Sequence, residues 1–251
     1  QTEGADFSYA EITQSNEGNW AQINQMYGTD MAAYVEQSGA ANNALIDQKG
    51  ERDVADILQS GNDNIATITQ EEFGTDNEAF VTQSGNLNIA DVVQGVDGSF
   101  NYADISQGGD GNYGSVDQEG DFNNGDIVQD GDDNEAYVVQ RGILGGVGNL
   151  ASVDQSGNLN IGDIYQEGDG NAASIDQSGD GNLAIISQYG DENTADIVQS
   201  GDDNIADILQ DGSGHTATIT QAGTADQAYI TQFGTDHTAT ITQMGGGNNY
   251  A

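Results

Sequence analysis

Apolar residues along this chain recur with a step of two inside a longer period of eleven. In a clean copy, Asn193 is followed at steps of two by Ala195, Ile197 and Gln199, and the next copy reads Asn204, Ala206, Ile208 and Gln210. A step of two is the period of a β-strand, in which alternate side chains share a face. These four positions therefore predict strands of about seven residues with Asn, Ala, Ile and Gln on one side.

The Gln of the pattern occurs 21 times, opening with Gln14, Gln25, Gln37, Gln48, Gln59 and Gln70 and closing with Gln199, Gln210, Gln221, Gln232 and Gln243. Sixteen of the twenty intervals are 11 residues, and the others are 12, 13, 13 and 15. Two residues before each Gln stands Ile (15 copies, among them Ile12, Ile23, Ile197, Ile208 and Ile241) or Val (6 copies). Four before stands Ala in 18 copies and Gly in three, at Gly114, Gly125 and Gly162. Six before stands Asn in 15 copies, including Asn19, Asn42, Asn64, Asn193 and Asn204. Two after stands Gly in 17 copies, including Gly39, Gly61, Gly85, Gly201, Gly212 and Gly223, and this predicts a tight turn. The extra residues of the irregular intervals fall after Gln, where a turn absorbs them. Inside a strand a single insertion would turn every later side chain to the other face.

Short, thinly apolar strands cannot stand alone and must stack on their own kind. Two units form a rung of about 22 residues, strand–turn–strand–turn, with rungs about 4.8 Å apart. The expected fold is thus all-β: a two-sheet, amyloid-like β-solenoid of 21 strands, or about ten and a half rungs. It should span 8–247, between a short N-terminal segment (1–7) and a C-terminal tail (248–251). Inside it, Ala lets the sheets approach and Ile or Val fills the dry middle. Stacked Gln and Asn carboxamides donate to one neighbour and accept from the other, which avoids the cost of unpaired buried amides. With an odd strand count, the strands ending at Gln14 and Gln243 fall in one sheet of eleven, facing a sheet of ten. No capping element is visible at either end, so head-to-tail stacking would give an open filament. In it each subunit would be rotated by about half a turn, its eleven-strand sheet continuing the ten-strand sheet below.

Composition changes this picture in one respect. The chain of 251 residues carries 42 Asp plus Glu against 3 Lys plus Arg, a formal net charge of −39. Such a balance with modest hydrophobicity ordinarily signals disorder. Here there is no Pro to interrupt a strand, and the apolar residues are placed on one face. With Lys49, Arg52 and Arg141 as its only cations, the chain cannot build a nucleic-acid groove. The absence of Cys excludes a disulfide framework or thiolate metal site. No apolar run approaches the ~20 residues of a membrane-spanning helix, so neither nucleic acid nor membrane insertion is expected. Acidic surface residues act as gatekeepers against premature aggregation. No cofactor is expected, and Ca²⁺ or another cation would serve only as a non-specific screen. His215 and His237 replace Asn at the position six before Gln, and both read as ladder substitutions, not as a metal pair. With every polar residue in a repeated place, no catalytic site is expected.

The pattern Q-x-G-x-x-N-x-A-x-x-x-Q, carried for example by Gln199, Gly201, Asn204, Ala206 and Gln210, resembles the curlin repeat of the curli major subunit, a secreted bacterial functional amyloid. The likeness runs from about Ser8 to Gln243. It implies a structural subunit of an extracellular, cell-surface fibre serving biofilm matrix, adhesion and cell aggregation. Its implied partners are itself, a nucleator subunit, an outer-membrane secretion pore and a periplasmic chaperone. The family's glycine-rich export segment has no counterpart before these repeats, which leaves the export signal open. The C-terminal repeats are regular and free of Lys and Arg, which points to a major subunit and away from a nucleator.

A soluble binding solenoid is the alternative. An ice-binding form would use the stacked Thr216, Thr218, Thr220 and Thr238, Thr240, Thr242. A Ca-dependent adhesin would need the nonapeptide repeat, whose period is nine, against eleven here.

Overall fold

The computed structural model describes residues 7–251; the first six residues of the expected 1–7 segment lie outside the described residues. One sheet contains β1 (Tyr9–Gln14), β3 (Ala32–Gln37), β5 (Val54–Gln59), β7 (Glu78–Gln83), β9 (Tyr102–Gln107), β11 (Asn124–Gln129), β13 (Leu150–Gln155), β15 (Ala172–Gln177), β17 (Thr194–Gln199), β19 (Thr216–Gln221) and β21 (Thr238–Gln243). The other contains β2 (Trp20–Gln25), β4 (Asn43–Gln48), β6 (Ile65–Gln70), β8 (Ile89–Gln94), β10 (Tyr113–Glu119), β12 (Glu135–Arg141), β14 (Ile161–Glu167), β16 (Leu183–Asp191), β18 (Ile205–Ser213) and β20 (Gln227–Thr235). These are the eleven- and ten-stranded sheets that an odd repeat count requires. No helix occurs among the described residues.

Every pairing is parallel and joins alternate strands, so the chain winds as a β-solenoid. The register sets like on like: Ala103 lies beside Gly125, Ile105 beside Ile127 and Gln107 beside Gln129. Between the sheets the Ala and Ile or Val side chains form one continuous dry core. Parallel pairing demands that both ends of each strand be turned by a connection, and the eleven-residue unit supplies one turn per strand.

Most strands are six residues, one fewer than the periodicity predicts. The Asn position lies just outside the strand, at a corner. The residue ahead of it takes the left-handed conformation, as at Asp63 (φ 56°), Asp133 (φ 54°) and Asp203 (φ 56°). Asp adopts that region at low cost because its short polar side chain bonds locally.

All four irregular intervals follow even-numbered strands: β2, β6, β8 and β12. Their extra residues therefore crowd one edge of the solenoid and leave the opposite edge regular. Lys49, Arg52 and Arg141 lie on that same irregular edge, as do the exposed Tyr27, Phe73, Ile143, Leu144 and Val147.

At the C-terminal end the solenoid register continues past 247. The backbone N–H of Gln227 donates to the Asn249 oxygen at 2.8 Å, and that of Tyr229 to the Ala251 oxygen at 3.1 Å. Asn249 and Ala251 thus repeat the Asn and Ala positions over β20, and residues 248–251 extend the rungs instead of trailing from them.

Candidate functional site

The Gln positions form two continuous ladders, one in each sheet. In the odd-numbered sheet, Gln14 donates to Gln37 (2.6 Å), Gln37 to Gln59 (2.7 Å) and Gln59 to Gln83 (2.8 Å). The same ladder ends with Gln199 donating to Gln221 and Gln221 to Gln243, both at 2.9 Å. In the other sheet Gln25 donates to Gln48 (3.0 Å), Gln48 to Gln70 (2.8 Å) and, at the far end, Gln210 to Gln232 (2.9 Å). A carboxamide has two N–H groups, and the second donates across the core. Gln118 Nε2 reaches the Tyr102 carbonyl at 2.7 Å and Gln210 Nε2 that of Thr194 at 2.9 Å. Each Gln from Gln25 onward therefore binds rung to rung and sheet to sheet, a cross-link that periodicity alone does not reveal.

The Asn ladder works differently from the expected amide-to-amide chain. Asn42 Oδ1 accepts from the backbone N–H of Asn64 at 3.0 Å, while Asn42 Nδ2 donates to the Gly61 carbonyl at 2.7 Å. Asn19 bonds the Asn42 backbone and Gly39 in the same way. A direct amide-to-amide bond is added toward the C-terminal half, as from Asn193 to Asn171 and Asn204 to Asn182, both at 3.1 Å. The Asn side chain thus satisfies turn backbone that would otherwise be buried without partners.

The Gly positions have a stricter reason than turn conformation. Gly39, Gly61, Gly85, Gly201 and Gly223 lack a positive φ. A Cβ on Gly39 would overlap the Gly61 carbonyl, one on Gly61 that of Gly85, and one on Gly201 that of Gly223. Rungs pack backbone against backbone here, at a distance only Gly permits. Gly212 has both features, a φ of 139° and an overlap with the Gly234 carbonyl.

Ile12, Ile23 and Ile241 belong to the outermost rungs; Ile12 is exposed, and Ile23 and Ile241 pack on the end of the core. Ile197 and Ile208 are fully buried within it. His215 takes an Asn place: its backbone N–H donates to Asn193 Oδ1 (3.1 Å), and its Nδ1 accepts from the His237 backbone (3.2 Å). The two imidazoles stack at 5.3 Å, as ladder members do.

Outside the core, an unforeseen row of Asx residues runs along the regular edge, three positions after Gln. Asn62 accepts from the Ala40 backbone (3.0 Å), Asn86 from Asn62 (3.0 Å), Asp110 from Asn86 (2.7 Å) and Asp132 from Asp110 (2.8 Å). Burial raises the pKa of outward carboxyls on the sheets, including Asp91, Asp104, Asp126, Asp163 and Asp207. Asp104 is raised further by Asp126, its like-charged neighbour on the next rung.

The three cations bridge rungs. Lys49 binds Glu71 at 2.9 Å, Arg52 grips Asp76 with two bonds (2.8 and 2.6 Å), and Arg141 binds both Asp117 oxygens (3.0 and 2.6 Å). Hydrogen bonding from Arg52 lowers the Asp76 pKa below the usual carboxylate range. Both partners of the Arg52 pair contact water, so Arg52→Ala is expected to leave the urea-unfolding midpoint almost unchanged.

The Thr residues stack on the outer face of the odd-numbered sheet, Thr216 beside Thr238, Thr218 beside Thr240 and Thr220 beside Thr242. On the next rung Asp196 and Val198 end two of the three columns. No cluster of metal-ligating side chains occurs among the described residues.

No curated protein matches the chain. Residues 39–71, 74–109, 109–142, 160–190, 190–223 and 217–245 match the curlin associated repeat. The matched segments follow the same strand–turn units that build the ladders and together take in most of the sequence, so the chain belongs to the curlin-repeat family.

Proposed function

We propose that this protein is the structural subunit of an extracellular, curli-like amyloid fibre that grows head-to-tail through its terminal strands. The observation that carries this reading is the unchanged in-register ladder running to both ends. Gln14 begins a ladder by donating to Gln37, and Gln243 ends it by accepting from Gln221. A second copy offers the same bond at the next rung, together with backbone partners for the strand edge. A heterologous contact of this kind does not close, so the product is a filament.

In the half-turn arrangement, β1 of the incoming copy adds to β20 and β2 adds to β21, continuing both sheets. The segment Asn249–Ala251 already pairs with the start of β20, so it is displaced as β1 docks. The family reading also assigns a nucleator that offers the first edge, a periplasmic chaperone that keeps the chain unfolded, and an outer-membrane pore. Biofilm matrix, adhesion and cell aggregation are the corresponding roles. The same bonded Gln and Asn positions, repeated rung after rung, support a structural role over an enzymatic one.

Stacking copies of charge −39 is opposed by their mutual repulsion. Added salt shortens the Debye length to about 8 Å at physiological strength, and fibre elongation should accelerate with it. Seeded growth monitored by an amyloid dye tests this; Ca²⁺ should act as a stronger screen without being required. Elongation rates indifferent to ionic strength would contradict the reading.

A further inference from the structure

Asp53 occupies an Asn position of the odd-numbered sheet and is fully buried. One rung on, Asn77 donates from Nδ2 to the Gly98 carbonyl at 3.0 Å, and Asn101 likewise to Gly120 at 2.8 Å. The equivalent acceptor for residue 53 is the Gly74 carbonyl. Asp53 presents an oxygen where its neighbours present an amide donor, and that oxygen, Oδ2, has no hydrogen-bond partner. A Cβ placed on Gly50 would crowd both Asp53 Oδ2 and the Gly74 oxygen, which puts those two acceptors at one spot. The other oxygen is in its ladder place, with Oδ1 accepting from the Asn77 backbone at 3.0 Å.

We propose that Asp53 is a proton-dependent latch: its protonated carboxyl stands in for Asn and donates to Gly74, and its carboxylate opposes closure of the rung. The proton comes from solvent and goes to Oδ2, and no other bond changes.

Around Asp53 the N–H groups of Asn77 and Gly50 favour the carboxylate, but no charged side chain takes the place of the proton. In its own turn lie Lys49, Glu51 and Arg52; Lys49 is engaged with Glu71, and Arg52 with Asp76 and Glu51. The turn of the next rung brings Glu71, Glu72 and Asp76, and the turn of the preceding rung brings Asp30 beside the apolar Met31. Across the core stand the neutral Gln48 and Gln70, whose Nε2 groups donate to the carbonyls of Asp53 (3.2 Å) and Asn77 (3.0 Å). Burial is the main cause that pushes the Asp53 carboxyl up to about 7, with Asp76 adding to it and the backbone and side-chain N–H groups of Asn77 and the backbone N–H of Gly50 opposing it. A carboxyl raised in the folded state contributes stability that is full below its unfolded pKa and is lost as pH rises through its folded pKa. The window runs from the unperturbed 3.8 up to about 7.

The test is urea unfolding of the full chain at fixed salt between pH 4 and pH 8, for the native protein, Asp53→Asn and Asp53→Ala. The other raised carboxyls give all three the same background slope. At pH 4 the native protein and Asp53→Asn should unfold together. Their folding constants should then diverge in favour of Asn by up to about tenfold per pH unit, levelling off above about pH 7. Asp53→Ala, with neither donor nor acceptor, should be weaker throughout and run parallel to Asp53→Asn. Parallel curves for the native protein and Asp53→Asn, or divergence toward acid, would overturn the latch. The measurement reads the fold alone, so it stands whether or not fibres form.

Discussion

Replacing Gly85 with alanine should cut the solenoid in two. The Gly85 backbone lacks a positive φ, so alanine meets no conformational objection there. The obstacle is the next rung, because the new methyl would overlap the carbonyl of Gly109. Overpacking ordinarily costs about 1–3 kcal/mol, relieved by side-chain movement. Here the atom in the way is backbone within a parallel ladder, so the loss should reach the top of that range or exceed it. A solenoid's rungs interact only with their neighbours, so protection from hydrogen exchange should vanish around β7 to β10 and persist in distant rungs. Gly145→Ala provides the contrast. Gly145 has a φ of 76° and nothing within 4 Å of an added Cβ. It should lose only the ~1–2 kcal/mol of a left-handed non-glycine residue. If Gly145→Ala proves the more damaging, turn conformation and not rung contact explains the repeated Gly.

Removing one Gln from the middle of a ladder should be about as severe. Gln118 is fully buried, accepts from Gln94 at 3.1 Å, and donates to Gln140 at 2.9 Å and to the Tyr102 carbonyl at 2.7 Å. Gln118→Ala takes the donor away from the Gln140 oxygen and the Tyr102 carbonyl, leaves Gln94 only its two backbone acceptors, and opens a cavity. At about 1–3 kcal/mol for each orphaned buried group, the expected loss is about 4–6 kcal/mol. Gln118→Leu separates the two causes, since leucine restores most of the volume and none of the bonds. It should recover only a small part of the loss in urea unfolding. A leucine variant as stable as the native protein would show that the ladder is filler and not a bonded spine.

The strands, their pairing and the two unequal sheets could be read from the sequence because one period survives all 21 copies. Ala, Ile and Gln at steps of two admit only one face toward the core. The ladder Gln were visible for the same reason, but their second bond was not. That bond runs from Gln118 to Tyr102 across the core, and its partner is a backbone atom with no sequence signature. In the sequence Gly85 reads as a turn former because Gly in a polar stretch usually is one; its constraint is the neighbouring rung, 24 residues away at Gly109. The repeat suggests an amide partner for Asn42, yet backbone donors and acceptors at the corner compete for it and win. The crowding of the long connections onto one edge was within reach. The four irregular intervals all follow even-numbered copies of Gln, and parity in a two-strand rung is position in space. Asp53 gave no signal by itself, because Asp for Asn is a small change until the Gly74 oxygen is seen opposite it.

The central claim is that this solenoid is one segment of a continuous fibre. Cryo-electron microscopy of fibres grown from purified chain tests it most directly. Parallel strands should lie across the axis about 4.8 Å apart. Each subunit should advance by about 50 Å, the length of ten and a half rungs at that spacing, with a half-turn between neighbours. A folded chain that yields no fibres in physiological salt, or fibres whose strands pair antiparallel, would contradict the account.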